Sequence, residues 1–191
     1  MKKIATIIAA MLVMVSVADA QTKFKQSPES SIAVNGTSNV HDWTMNATNP
    51  TCEATFVLNE NGDITSIQAL SFSMQVKSLK SDKSGLDKNA YNTLNADKFD
   101  KITYTMLSAA PVKVNGNQYT ITTTGNMVVA GATFKTDLVT TCVKNTNGTF
   151  TCTGTKPVKM TDFKIEPPTF MFGAMKTGDE VSIDYTINLK K

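Results

Sequence analysis

Apolar and polar residues alternate along most of this chain. Leu70, Phe72, Met74 and Val76 are interleaved with Ser71, Ser73 and Gln75; Ile102, Tyr104 and Met106 with Thr103 and Thr105. Phe134 and Leu138 share a parity with Thr136, and Ile183, Tyr185, Ile187 and Leu189 alternate with Asp184, Thr186 and Asn188. A period of two is the mark of antiparallel strands with one dry face and one wet face. Turn signals separate the runs: Asn35-Gly36, Asn49-Pro50, Asn61-Gly62, Asn115-Gly116, Ala130-Gly131 and Asn147-Gly148. One segment, Lys80 to Asp97, departs from the pattern. Leu86, Ala90 and Leu94 recur there every four residues, predicting a helix of two to three turns with Ser84 as N-cap. The fold class expected is therefore all-β, an antiparallel barrel or sandwich of about eight strands with one short inserted helix. No linker or shift of composition divides the chain, and one domain over residues 21–191 is expected.

Composition narrows the function. The protein has 191 residues and a formal net charge of +3, with 41% apolar residues and 18% charged. That is too apolar and too weakly charged for a disordered chain. All 19 basic residues are Lys, which speaks against nucleic acid as a partner, since phosphate and guanine are ordinarily gripped by Arg forks. One His leaves no multi-His metal site, and no metal or cofactor is expected. Thr makes up about 15% of the chain and strengthens the β reading.

Residues 1–20 have the form of an export leader. Lys2 and Lys3 precede the apolar stretch Ile4 to Val17, and Ala18-Asp19-Ala20 provides a cleavage signal. The apolar stretch falls short of the ~20 residues that span a bilayer. A periplasmic or secreted protein is expected, cleaved near Ala20. In an oxidising compartment three Cys suggest one disulfide and one spare thiol. If Thr146-Asn147-Gly148 is a three-residue hairpin loop, Asn145 opposes Thr149 and Cys142 falls directly opposite Cys152. That register favours a Cys142–Cys152 bridge with Cys52 free; the alternative joins one of the pair to Cys52.

Two stretches invite a chemical reading. His41-Asp42-Trp43, near Ser38, suggests a catalytic group, but neighbours on a strand point to opposite faces, so His41 and Asp42 make a poor dyad. Asp162 and Glu166 read as surface charge. Phe170-Met171-Phe172-Gly173-Ala174-Met175 follows Pro167-Pro168 and precedes Gly178-Asp179, which predicts a loop. Large flexible apolar side chains there suit a portal for a lipid, or a plug for the barrel end.

Taken in order, several segments resemble the polyisoprenoid-binding YceI-like family. They are Gly36-Thr37-Ser38-Asn39-Val40-His41-Asp42-Trp43, Leu79-Lys80-Ser81 with Leu86-Asp87, and Leu94-Asn95-Ala96-Asp97-Lys98-Phe99-Asp100-Lys101-Ile102-Thr103-Tyr104. Met160-Thr161-Asp162-Phe163-Lys164-Ile165-Glu166-Pro167-Pro168 and Gly178-Asp179-Glu180-Val181 complete the series. The chain looks like a shorter branch, with its own Cys142/Cys152 hairpin. The resemblance implies a lipocalin-like barrel holding a long isoprenoid, such as a quinone tail or polyprenol, without catalysis. Trp43, Phe72, Met74, Tyr104, Met106 and Phe134, each on the more apolar parity of its strand, are the expected lumen residues. Phe170, Met171 and Phe172 are the expected portal, with transient membrane contact. A self-filled structural envelope barrel is the alternative, and a lipid hydrolase using His41 the weaker rival.

Overall fold

The computed structural model of the chain describes residues 20–191. The expected leader lies, Ala20 apart, outside the described residues. The alternating runs form strands β1 (Ala20–Gln26), β2 (Ser31–Ser38), β3 (Trp43–Ala47), β4 (Thr51–Leu58), β5 (Ile64–Gln75) and β6 (Leu79–Lys80). Helix α1 (Ser84–Thr93) follows. The rest are β7 (Lys101–Ala109), β8 (Lys113–Asn115), β9 (Gln118–Val129), β10 (Ala132–Lys144), β11 (Phe150–Lys159), β12 (Thr169–Phe170) and β13 (Met175–Lys190).

Eight of these strands close an antiparallel barrel in the order β1-β4-β5-β7-β9-β10-β11-β13. The ring shuts where Lys25 and Gln26 of β1 pair with Lys190 and Leu189. β13 is 16 residues long because it serves two neighbours on that side: β1 at its end, and β2 from Thr177 to Thr186. β3 adds to β2, and β6 to β3, so the wall extends as a flap beyond the ring. Closure pairs the strands all round the ring except where β10 and β11 part, which removes most of the usual hazard of exposed strand edges.

Two ladders govern what the barrel can hold. β9 and β10 pair without interruption from Gln118↔Val143 to Val129↔Ala132. β10 and β11 pair only from Lys144↔Phe150 to Thr141↔Thr153. Above that point β10 bonds only to β9, and β11 only to β13, so the wall forks. Cys142 lies opposite Cys152, one pair below the fork, and the two are joined in a disulfide.

The end of the barrel where β9 and β11 begin is filled by aromatics. Phe24, Phe56, Phe150 and Tyr119 pack with ring centroids 5.3–6.0 Å apart. At the other end α1 lies against β6, where Leu86, Ala90 and Leu94 pack on Met45, Met74 and Leu79. The helical stripe is as expected, but the cap is not. The N-cap is Lys83, with no side-chain cap bond, and Ser84 is the first helical residue. The helix is tethered by Asp87 in its first turn and by Tyr91 near its end instead. Buried Asp87 accepts from the backbone N–H and the hydroxyl of Ser81 at 2.7 and 2.8 Å. The Tyr91 hydroxyl donates to the Leu79 carbonyl at 2.6 Å.

The Phe170–Met175 segment is a tight hairpin turn rather than an open loop. Phe170 pairs with Met175 and Thr169 with Lys176. Gly178, expected at a mobile turn, sits inside β13, where a Cβ would meet the Thr37 hydroxyl at 2.5 Å. Gly178 serves close approach there, not flexibility.

Candidate ligand cavity

Beyond the aromatic cluster the barrel is hollow. A cavity of about 880 Å³ runs from Cys52, Ile187 and Leu189 up to the mouth beside α1 and β12. Its walls are the inward parity of the strands: Ile32 and Val34 from β2, Ala54 and Phe56 from β4, Leu70, Phe72 and Met74 from β5. Met127 and Val129 from β9 and Ile183 from β13 add to the apolar lining. Specific pockets for small molecules span roughly 300–1,000 Å³, and this one lies near the upper end.

Room for the lumen comes partly from glycines. Inward-facing tyrosines need space across the neighbouring strand, and glycine supplies it where a Cβ would collide. Tyr104 lies over Gly125, where a Cβ would be 2.5 Å from its ring. Its hydroxyl meets the Thr123 hydroxyl at 2.8 Å. Tyr185 lies over Gly154 in the same manner, and its hydroxyl meets that of Thr140 on β10 at 2.7 Å. The two tyrosines thus bring their polar tips inside already paired, which keeps the lining effectively apolar. Burial pushes the Tyr185 hydroxyl up to about 12.

Trp43 stands at the mouth. Its ring lies on Gly36, directly opposite across the β2–β3 ladder, and its indole N–H donates to the Thr37 carbonyl at 3.2 Å. His41 and Asp42 are exposed on the rim. The Ser38 hydroxyl is turned to the backbone, donating to the His41 carbonyl at 2.7 Å and accepting from the N–H groups of Val40 and His41. This arrangement is a local turn and lacks a nucleophile–base geometry. Among the described residues no group of three or more His, Cys, Asp or Glu side chains is placed to hold a metal.

Of the expected lumen residues, Trp43, Phe72, Met74 and Tyr104 line the cavity. Met106 and Phe134 do not reach its surface. Met106 packs within the wall beside a bulge in the β7–β9 ladder, and Phe134 is edge-on to Phe163 with centroids 5.7 Å apart. Phe163 itself lines the mouth. In the hairpin turn Phe170 faces the cavity, while Met171 and Phe172 are exposed at 70% and 113%. Both of the latter hold left-handed backbone, with φ of 52° and 56°. Asn39 anchors the turn by donating to the Ala174 carbonyl and accepting from the Lys176 N–H.

All three cysteines are on the cavity wall. Cys142 and Cys152 are bonded as the hairpin register predicted. Cys52 is free and buried, and burial pushes its thiol up to about 12, leaving it an inert small hydrophobe.

An eight-stranded antiparallel barrel, filled with aromatics at one end and hollow at the other beside a lone helix, is a lipocalin-like barrel. The YceI-like domain matches residues 22–189, and the chain belongs to that family. Solved structures share the fold. Burkholderia cenocepacia BcnA aligns with a TM-score of 0.66 at 15% identity, over 83% of this chain and 95% of its own. A polyisoprenoid binding domain from Saccharophagus degradans, implicated in plant cell wall breakdown, gives 0.65 at 9% identity, over 90% and 99%. The Campylobacter jejuni YCEI protein gives 0.52 at 16% identity, over 73% and 81%. No curated protein matches the chain.

Proposed function

We propose that this protein is a non-enzymatic binding or carrier protein for a long-chain amphiphile of the isoprenoid type, acting in the periplasm or after secretion. The observation that carries the reading is the apolar-walled cavity of about 880 Å³, open at one end. A long hydrocarbon cannot cross water unaided: at about 0.8 kcal/mol per buried CH₂, a 40-carbon chain gains on the order of 30 kcal/mol on leaving it. A dry slot is what such a cargo requires, and the lining offers little reactive chemistry. The Saccharophagus domain of the same fold is described as polyisoprenoid binding, which supports the same ligand class here. The disulfide favours an oxidising compartment.

In this reading the Phe170–Met175 turn is the portal. Phe170 borders the lumen, and Met171 and Phe172 offer apolar contact to a membrane during transfer. A self-filled structural barrel fits less well, because the aromatic filling stops at one end.

Extraction of natively purified protein followed by mass spectrometry tests the proposal. A co-purified long-chain amphiphile near one per protein supports it. An empty extract, together with no binding of long-chain probes to the delipidated protein, overturns it.

A further inference from the structure

On the hollow part of the barrel, an inward position of β11 carries a charge. Along β11 the side chains of Phe150, Cys152 and Val158 are buried in the interior, and the same parity places Lys156 inward between Gly154 and Val158. Its directly opposed partner on β13, Ile183, lines the cavity too, as residues opposite one another in a ladder share a face. On its other side lies the fork, where β10 presents Leu138 and Thr140 without a ladder to β11. Lys156 is half-buried and makes no hydrogen bond or ion pair among the described residues. The nearby hydroxyls of Tyr185 and Thr140 are already bonded to each other.

An ammonium on an apolar wall needs a counter-charge to offset its lost hydration. Among the described residues no carboxylate pairs with it. Lys83, Lys159 and Lys176 also border the cavity without an ion pair among the described residues, Lys159 being in electrostatic reach of Asp179, against Asp42 and Asp82 on the acidic side, so positive charge predominates along the lining.

We propose that Lys156 is the headgroup site of the cavity, and that it selects amphiphiles bearing a single anionic head, a carboxylate or a phosphate monoester, over neutral ones of the same chain. The inference rests on the lumen being the ligand site. The chain occupies the apolar space around Phe72 and Ile183, and the anion meets the lysine ammonium with a charge-assisted hydrogen bond.

The test uses the delipidated protein with oleate, oleyl phosphate and oleyl alcohol, each titrated by calorimetry, and inorganic phosphate as the headgroup alone. Both anionic lipids should bind about ten- to a hundredfold more tightly than the alcohol, the span expected of one hydrogen bond to a charged group. Inorganic phosphate should not bind measurably, since it leaves the apolar walls empty. Lys156→Met should remove the preference while keeping alcohol binding, and Lys156→Arg should retain it. The relative affinity of oleate and oleyl phosphate shows which head the site favours. Equal binding of all three lipids, or a preference that survives in Lys156→Met, overturns this proposal and leaves the cavity reading intact. If no lipid binds at all, the cavity reading falls and this one with it.

Discussion

The ring of Tyr185 lies across Gly154 on the adjacent strand, where a Cβ would stand 2.2 Å from its hydroxyl oxygen and 2.9 Å from the Val139 carbonyl oxygen. Glycine is obligatory there for reasons of space, not of backbone dihedral. Gly154→Ala should push the tyrosine off Thr140, and overpacking of this kind costs about 1–3 kcal/mol. At roughly 2–4 °C per kcal/mol for a protein of this size, the thermal midpoint should fall by several degrees. Combined with Tyr185→Leu, the loss should be smaller than the sum of the single losses, because removing the phenol also removes the group that the added methyl would meet. Strict additivity in a double-mutant cycle would contradict the contact.

The Cys142–Cys152 bridge closes a short hairpin, and replacing both residues with Ala should destabilise by roughly 2–4 kcal/mol, measured by denaturant titration. Cys52 should stay silent throughout. Its thiol is buried and held at about 12, so a thiol reagent at neutral pH should modify the native protein very slowly and the unfolded protein at once. Peptide mapping without reduction should find no cross-link to Cys52.

Trp43 is the sole Trp, and it borders the cavity mouth. Filling the lumen with a long-chain ligand should exclude water from one side of the indole and shift its emission to shorter wavelength. An unchanged spectrum at saturation with a ligand shown independently to bind would remove Trp43 from the site.

The turn at Met171 and Phe172 exposes two large apolar side chains on left-handed backbone, a conformation that costs a non-glycine residue of order 1 kcal/mol. Replacing both with Ser should leave the thermal midpoint nearly unchanged, since neither side chain is buried. Transfer of lipid from vesicles to protein should slow. A collapse of the melt would instead mark these side chains as structural.

Asp87 tethers α1 to Ser81 beside the mouth, and the Ser81 backbone N–H holds its carboxyl below the usual aspartate value, with the Ser81 hydroxyl and Lys80 adding to the effect. The pKa is lower in the folded state, so the tether stabilises the protein above the pKa of an unfolded aspartate, near 3.9, and is lost as pH falls through the depressed folded value. Amide exchange in α1 should accelerate in that acid range ahead of exchange in β9 and β10. Asp87→Asn should show the faster exchange already at pH 7.

The strands, the helix and the bridge were legible because each is written in local pattern. Alternation gave β5, β7 and β13, a four-residue stripe gave α1, and counting outward from Asn147-Gly148 gave the partner of Cys142. Cavity-facing residues were harder. Parity alone assigns Met106 and Phe134 the same face as Tyr104 and Thr136, but depth along the barrel decides which of them reach open space, and depth depends on the stagger of all eight strands. Lys156 was overlooked because Lys on a Thr-rich strand next to Pro157 reads as surface. The signal was present all the same: an inward Cys152 places 154, 156 and 158 inward with it. The Ser84 cap failed for a different reason, since a tertiary anchor through Asp87 and Tyr91 makes a local cap dispensable.

Where β10 and β11 part company, the slit in the wall has a defined tip at Thr141 and Thr153. A slit lengthens by breaking rungs from its tip, and below Thr141 and Thr153 the second rung is covalent. Any widening of this slit is therefore confined to the upper wall, much as a riveted cuff lets a sleeve open without tearing down the seam. Below the rivet the strands are held in register, so a wall parted above it closes again in the alignment with which it started.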